Sequence, residues 1–562
     1  MPQFRHLPTS ARKVLIMGAT ASLYLVTASY ATGAGTGTVQ PRDALSAQHI
    51  GLYPSSDFRI TKADCKNCGA SPQALWYFGD DVVAVASAPA VGSTPHLRAQ
   101  DDVRAWLIAT AGKAQDKPPR LLWMGSPQVA EGRLAADASS VLGVDSALPL
   151  ALTARLASNR SYFDAGSRAY FAGREVKARG VLKEGTFHVR TLWPKDYALP
   201  ALPAPVPLKD GESIESLVRA DGGGARQAYA ARTLWRRDGV GDASLVGKPA
   251  LAFILNGAQG DDDEAYGGHF AVATGRFDRQ GGWDNWLVNN FYNLGSVSEK
   301  GIIASTLPMD AYMADLNSGQ AWYRPSYMLV AVMKEPRVPA LYQEAISRVF
   351  NHFYSQDFHY RHAGTNCAGI NVETLRTLGW GIPRLGGESP LKAAVALPYM
   401  ALKEVSLASG QGAYDYLQTE RTELLPFVAF NTIGEDLLKR LAGKGGARSA
   451  IESQIAEDLE ALVFVRIPQV PSSRAYGYDP VLSLSEYQKR APANRADWKI
   501  VPVGPRDFPA SMKNPLAPKE KSPQSVTATY VWAAAVLCLT GGVVMAWKRR
   551  RQKSKTARRG NT

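Results

Sequence analysis

The sequence predicts an α+β protein: a β-rich N-terminal module, then an antiparallel sheet packed on helices, then a C-terminal transmembrane helix. Three observations lead to this fold class. Apolar and polar residues alternate in the first part of the chain, buried strands and amphipathic helices follow in the middle, and an uncharged apolar run lies near the end. Hydrophobic residues make up 45% of the chain, and Gly and Pro are spread through it, as in globular proteins.

The two ends of the chain carry apolar runs typical of membrane targeting. Residues 14–26 follow basic residues and precede small ones, which predicts a signal peptide cleaved after Ala31, with an uncleaved anchor as the alternative. Residues 526–547 hold no charge and are long enough to span a bilayer. Because a basic tail follows at once, we expect a single-pass protein of the inner or plasma membrane, with its large domain periplasmic or extracellular and its C-terminus cytoplasmic.

The formal net charge of +14 does not indicate a nucleic-acid partner. The first 31 residues and the tail after Trp547 together hold eleven basic residues and no acidic one. Most of the charge therefore lies at the two ends, where it reports membrane topology. We expect no nucleic acid among the partners.

The length and the composition shifts divide the chain into several parts. The proline-rich stretch that begins at Pro200 is the clearest boundary, because such a segment is a stiff linker. The predicted parts are a signal peptide (1–31), a flexible lead-in (32–58), the β-rich module (59–200), the linker (201–212), the antiparallel domain (213–400), a helical extension (401–490), a stalk (491–525), the transmembrane helix (526–547) and the cytoplasmic tail (548–562).

Strand patterns are strongest in the middle of the chain. Residues 249–256 form a buried apolar run, and residues 269–277, 286–293 and 323–333 are rich in β-branched and aromatic types. In the N-terminal module, the run from Leu75 to Ala86 predicts two strands around a turn at residues 79–81.

The chain has four cysteines, and they differ in context. Cys65 and Cys68 form a close pair, for which a disulfide is the expected state in an oxidising compartment, with a redox pair as the alternative. Cys538 lies in the apolar run. No second pair completes a zinc site and no His follows for haem attachment, so we expect no metal and no cofactor.

Cys367 is the free thiol, and its position favours reactivity. The residues after it have helical periodicity that ends near Gly379, and Thr365 or Asn366 can cap the helix. A cysteine in the first turn lies near unpaired backbone N–H groups, which favour the thiolate and should lower its pKa. An inert core cysteine is the alternative.

A thiol nucleophile needs a base, and the base needs a polar partner. His269 begins a predicted strand after Gly267 and Gly268. Asn289 and Asn290 lie on the next strand, where adjacent residues point to opposite faces, so only one of them can face His269. Asn290 is our choice. His359 and His362 lie near Cys367 in sequence and are rival bases or solvated loop residues.

The order of these residues resembles that of the circularly permuted papain-like families, related to NlpC-type cell-wall peptidases and to the lecithin–retinol acyltransferase group. The similar stretches are Gly-His-Phe-Ala-Val at 268–272 and Thr-Asn-Cys at 365–367, within about residues 245–400. The spacing between the two stretches is longer than the usual core needs, which predicts an insertion at 297–323.

This resemblance implies a papain-like sheet with Cys367 as nucleophile, His269 as base and Asn290 as the partner that orients the imidazole. Gln259 would donate to the oxyanion hole together with the backbone of Cys367. The implied activity is that of a membrane-anchored envelope cysteine peptidase, amidase or acyltransferase, which acts on amide bonds in cell-wall peptide or protein through a thioester. A lipid acyl chain is the second choice of substrate.

Two alternatives remain open at the level of sequence. The papain-like scaffold can be non-catalytic, with the β-rich module binding an envelope partner. The acidic run at residues 261–264 can bind calcium, although it lacks the alternating ligand spacing of a calcium loop and also fits a solvated turn.

Overall fold

The structure is a computed structural model in which residues 39–518 are described, apart from internal gaps. The gaps are 62–64, 66–67, 80, 87–92, 112–120, 153–162, 221–225, 242–243, 259–266, 295, 299–301, 317, 404, 445, 447, 472–479, 481, 491–502 and 506. The predicted signal peptide, the apolar run 526–547 with Cys538, the basic tail, the acidic run and Gln259 all lie outside the described residues.

The described strands are β1 (Arg42–Asp43), β2 (His49–Ile50), β3 (Tyr53–Pro54), β4 (Arg59–Thr61), β5 (Val83–Ala86), β6 (Leu121–Met124), β7 (Gln128–Leu134), β8 (Ser140–Leu142), β9 (Ala147–Leu152), β10 (Glu175–Lys183), β11 (Thr186–Pro194), β12 (Ala230–Arg236), β13 (Pro249–Asn256), β14 (His269–Arg276), β15 (Leu287–Asn289), β16 (Ser296–Ser298), β17 (Thr306–Pro308), β18 (Ser326–Met333), β19 (Leu459–Ile467) and β20 (Val503–Pro505).

The described helices are α1 (Pro72–Phe78), α2 (Ala99–Ala109), α3 (Ala165–Phe171), α4 (Ile214–Arg219), α5 (Met309–Ala314), α6 (Arg337–Tyr354), α7 (Cys367–Thr377), α8 (Pro390–Lys403), α9 (Leu407–Gln418), α10 (Arg421–Leu424), α11 (Pro426–Leu441), α12 (Ala450–Asp458) and α13 (Leu484–Arg490). The protein is therefore a mixed α+β fold.

A seven-stranded sheet forms the centre of the fold, in the order β12-β19-β18-β13-β14-β15-β17. All of its pairings are antiparallel. Every residue of β13 and β18 is buried, which requires cover on both faces of the sheet. Helices α6, α7 and α11 contact β14, and their apolar faces supply part of this cover.

The N-terminal part of the chain builds two further sheets. A six-stranded sheet has the order β1-β7-β10-β11-β9-β8, and a three-stranded sheet has the order β4-β6-β5. The largest core combines side chains from before and after the proline-rich stretch, such as Trp193 and Leu234. The division into domains stays a prediction.

Two elements differ from the sequence-based prediction. The first strand of the expected hairpin is the helix α1, because Ser71 caps it and Pro72 occupies its first turn, where a missing N–H costs nothing. The strand expected at 286–293 ends at Asn289, and the chain then leaves the sheet.

The predicted fold class was wrong in its C-terminal transmembrane helix. Among the described residues, no helix combines the length and the apolar character needed to cross a bilayer, and α6, the longest, is amphipathic with polar residues along it. The described residues therefore form an α+β fold in which no helix could span a membrane.

Candidate functional site

Cys367 is the first residue of α7, as the sequence predicted. The side chain of Asn366 caps the helix by accepting a hydrogen bond from the Gly369 N–H at 2.8 Å. The amide of Asn366 also donates to the carbonyls of His362 and Leu424, each at 2.8 Å. Asn366 therefore fixes both the start of the helix and the loop before it, which holds the thiol in one position.

His269 is the first residue of β14, where its backbone pairs with Asn256. Gly268 precedes it with a φ of +77°, and a Cβ there would lie 2.8 Å from the Asn256 carbonyl oxygen. Only glycine fits this close approach and this left-handed backbone. The side chain of His269 is buried and lines a cavity with the first residue of α7.

Asn290 holds the ring of His269. The Nε2 atom of His269 lies 2.6 Å from Oδ1 of Asn290, while Nδ2 of Asn290 donates to the Ile303 carbonyl at 2.6 Å. Because the amide nitrogen faces a carbonyl, the amide oxygen must face the ring, and Nε2 must carry the proton. Nδ1 of His269 is then the nitrogen with a free lone pair, as a base requires.

Asn289 has a different position. Its amide donates to the Val272 carbonyl at 3.2 Å and to Gln343 at 3.0 Å, and its oxygen accepts from Thr306 at 2.9 Å. These partners lie inside the fold, away from His269. The contact to the histidine therefore belongs to Asn290, the one of the two that we chose.

Cys367 and His269 line the same cavity, of about 90 Å³. The thiol has three hydrogen-bond partners: the Tyr360 side chain, the backbone N–H of Phe270, which follows His269, and the backbone N–H of Ala368. The thiol is thereby held against the first residues of β14. Four tyrosines and four apolar residues also line the cavity: Tyr292, Tyr323, Tyr360, Tyr416, Ile302, Leu424, Leu425 and Pro426.

Burial decides the protonation of the pair. Burial, and then the positive charge of Arg324, lower the pKa of His269 to about 3 against the effect of Asn290. Burial raises the pKa of Cys367 and outweighs the Phe270 N–H, Tyr360 and Arg324, which all lower it. The predicted lowering of the thiol pKa was therefore wrong, and the resting pair is a neutral thiol and a neutral imidazole.

Arg324 and Tyr360 are site residues that the sequence analysis missed. The Arg324 guanidinium is buried and donates to Gln320 Oε1 at 3.0 Å and to the Gly257 carbonyl at 3.1 Å. Arg324 lies two residues before β18, and Tyr360 lies seven residues before Cys367. Their positions near predicted elements were visible, but only the tertiary fold brings them to the thiol.

The remaining predicted residues fall into three groups. His362 is exposed and lines the cavity, whereas His359 is exposed and accepts a hydrogen bond from Thr365 through its carbonyl. Cys65 and Cys68 form a disulfide, and Cys367 is free and buried. Gln259 lies outside the described residues. Within the described part of the chain, no three His, Cys, Asp or Glu side chains are grouped to hold a metal ion.

Comparison of the chain with protein-family models gave no match, and comparisons with curated proteins and with solved structures gave none either. The resemblance to permuted papain-like enzymes stays a prediction.

Proposed function

We propose that this protein is a cysteine hydrolase or acyltransferase that acts on amide bonds through a thioester on Cys367. The observation that carries the proposal is the shared position of thiol and imidazole: both line one cavity, and the N–H that follows His269 contacts the thiol. The His269–Asn290 hydrogen bond supports the same function, because it leaves Nδ1 available to take a proton.

The chemistry follows from the neutral resting pair. As the sulfur of Cys367 attacks the substrate carbonyl, its proton passes to Nδ1 of His269, and the imidazolium is stabilised by Asn290 Oδ1. The first-turn N–H of Cys367 has no partner within the helix and donates to the Tyr360 hydroxyl, so it can stabilise the oxyanion once the substrate oxygen displaces that hydroxyl. His269 then protonates the leaving amine, and a water or an amine attacks the thioester with His269 again as base.

The substrate that we propose is a peptide or protein amide, including cell-wall peptide. Tyrosines and leucines line the cavity, and its volume of about 90 Å³ suits a small apolar group beside the scissile bond. The Cys65–Cys68 disulfide supports an oxidising compartment, where envelope peptides are found.

A second candidate function is a non-catalytic scaffold that binds an envelope partner. One observation favours it: the Cys367 side chain is 3% exposed, so its thiol is shielded and its pKa is raised. Scaffold and enzyme differ in whether the thiol accepts an acyl group.

The test is acylation of Cys367 by p-nitrophenyl acetate, followed by intact-protein mass and peptide mapping. We expect one acetyl group on Cys367 in the wild type and none there in Cys367→Ala. His269→Ala should slow acylation by about 10²- to 10⁴-fold, which is the usual contribution of a general base. No acylation of Cys367 in the wild type would favour the scaffold.

The neighbouring asparagines provide a matched pair of variants for this test. Asn290→Ala removes the acceptor for His269 Nε2–H and should slow acylation by about tenfold or more, as loss of an orienting partner does. Asn289→Ala removes interior hydrogen bonds and should lower Tm, with the acylation rate of the folded protein unchanged. Equal effects of the two variants on the rate would contradict the assigned role of Asn290.

A further inference from the structure

A second cavity, of about 440 Å³, lies between the sheets and has no lining residue in common with the Cys367 cavity. Strands β10 and β11 form one wall, the turn after β14 forms the opposite wall, and the segment around β1 and β2 closes one side. Its volume lies within the range of about 300–1,000 Å³ that is usual for small-molecule sites. We call it the basic cavity, after its five cationic lining residues, Arg42, Lys177, Lys195, Arg276 and Arg279.

The lining carboxylates do not balance these cations. Three carboxylates, Glu131, Asp278 and Asp284, line the cavity, so the described lining carries a net formal charge of +2. The three carboxylates also have partners: Asp284 pairs with Lys177, Glu131 pairs with both Arg42 and Lys195, and Asp278 accepts two backbone N–H bonds of its own turn.

The excess charge falls on Arg276 and Arg279. Among the described residues, neither of these arginines has a carboxylate within ion-pair distance, and burial lowers the pKa of Arg276 against the more distant charge of Glu335. Arg276 donates to the Gly247 carbonyl at 3.0 Å, and its Nε atom is buried without a hydrogen-bond partner in the described structure. Arg279 is exposed on the turn at the rim. Burial, and then Arg276, lower the pKa of His49 on the adjoining side of the cavity, so His49 is neutral there.

We propose that the basic cavity binds a small phosphate-bearing molecule, with Arg276 and Arg279 as the residues that contact its phosphate. A phosphate monoester carries a charge of about −1.5 to −2 at neutral pH, which matches the excess of the lining. Guanidinium groups bind phosphate oxygens through paired, charge-assisted hydrogen bonds. The lining amides of Gln48 and Asn285 can contact the remainder of the ligand. The site is separate from Cys367 and does not depend on the proposed acyl transfer.

The experiment is isothermal titration of the full chain with inorganic pyrophosphate at about 50 mM salt, where charge interactions are only partly screened. We expect saturable binding at one site in the wild type and in Cys367→Ala. Arg279→Gln should weaken binding by about tenfold, since hydrogen bonds to a charged group are strong. Arg276→Gln should weaken it too, and its Tm shows whether the variant is folded.

Arg59→Gln is the matched control, because Arg59 is an exposed cation that does not line the cavity. We expect its affinity to stay within about twofold of the wild type, as for a screened remote charge. Equal weakening by Arg59→Gln and Arg279→Gln would overturn the proposal, and so would the absence of saturable binding. A parallel titration uses citrate, which carries carboxylates and no phosphate. Tighter binding of citrate than of pyrophosphate would overturn the assignment of phosphate.

Discussion

At Cys367, burial outweighs the helix N-terminus. The first-turn position should favour the thiolate, but a thiol that is 3% exposed loses the solvation that a thiolate needs. Arg324 acts on both members of the pair in the same direction: it lowers the pKa of Cys367 and that of His269. A positive charge next to a base disfavours the imidazolium, which makes a preformed thiolate–imidazolium pair unfavourable at rest.

The first prediction concerns alkylation of Cys367 by iodoacetamide as a function of pH. Because its pKa is raised, the alkylation rate should rise at a pH above about 8.5, the value of a free thiol, with no plateau between pH 5 and 7. His269→Gln should leave this profile nearly unchanged, since the neutral imidazole contributes no charge near neutral pH. A low-pH plateau that disappears in His269→Gln would contradict a neutral resting pair.

At the level of residues, the sequence predicted the contacts of the site better than its electrostatics. The position of Cys367 at a capped helix start follows from local periodicity, and the structure has it. Strand alternation leaves Asn289 and Asn290 as alternatives, and in the structure Asn290, one residue beyond the end of β15, contacts His269. The direction of the thiol pKa depends on how deeply the side chain is buried, which local periodicity does not contain. Arg324 was missed for the same reason, because its approach to the thiol requires the assembled sheet.

Some helices and strands were predicted correctly from the sequence and others were not. The strand predicted at 249–256 has these bounds in the structure, because an apolar run between polar ends has few other solutions. The strand predicted before residue 79 is a helix, since the cap at Ser71 and the proline after it outweigh the aromatic β-propensity of the following residues.

A charged cluster joins α2 to α6, far apart in sequence. Nδ1 of His352 lies 2.6 Å from Asp357 Oδ2, and Nε2 lies 3.2 Å from Asp102 Oδ2. Both ring nitrogens face carboxylate oxygens, so both must donate and the ring is an imidazolium. Burial opposes this charge, but the bonds to Asp102 and Asp357 outweigh it and raise the pKa of His352. Burial likewise opposes the charge of Asp102, yet the bonds from His352 and Arg348 lower its pKa.

The second prediction is a pH-dependent stability from this cluster. A raised histidine pKa contributes stability that is fully present below about pH 6.5, the unfolded value, and is lost as the pH rises through the folded pKa. The lowered pKa of Asp102 contributes stability above about pH 4 that is lost as the pH falls through its folded pKa. We therefore expect the Tm to fall from pH 6.5 to pH 9, and His352→Gln to reduce this slope.

Thermal unfolding followed by circular dichroism at several pH values measures the effect. His96→Gln is the matched control, because His96 is an exposed loop residue and should keep the wild-type slope. If His352→Gln and the wild type lose Tm in parallel between pH 6.5 and 9, the imidazolium does not contribute to the pH dependence.

Across the whole molecule, buried ion pairs join the six-stranded sheet to the rest of the fold. Arg179 of β10 donates through Nε to Asp310 of α5 at 2.9 Å, and both side chains are fully buried. The guanidinium carbon of Arg179 also lies 5.2 Å from the ring centre of Trp123, in the three-stranded sheet. Lys177 of the same strand forms a second buried pair with Asp284. Residues so distant in sequence carry no pattern that would predict such pairs.

The third prediction concerns the free energy of unfolding that is lost when one partner of a buried ion pair is removed. Asp310→Ala leaves the Arg179 guanidinium buried without its partner, which typically costs about 3–5 kcal/mol in the free energy of unfolding. The double variant Arg179→Met with Asp310→Leu should recover most of this loss, because two apolar side chains can replace a buried pair. Urea unfolding followed by tryptophan fluorescence gives the values.

The exposed pair Arg104–Asp101 provides the control, with both side chains about half exposed. Asp101→Ala should change the free energy of unfolding by less than about 1 kcal/mol, as for surface pairs in general. If Asp310→Ala costs no more than Asp101→Ala, the Arg179 charge must find another partner or water in the variant, and the pair would not hold the sheets together. If the double variant stays as unstable as Asp310→Ala, the lost free energy of unfolding does not come from the unpaired arginine. It then comes from the role of Asp310 at the start of α5, where its carboxylate accepts the Ala311 N–H at 2.8 Å.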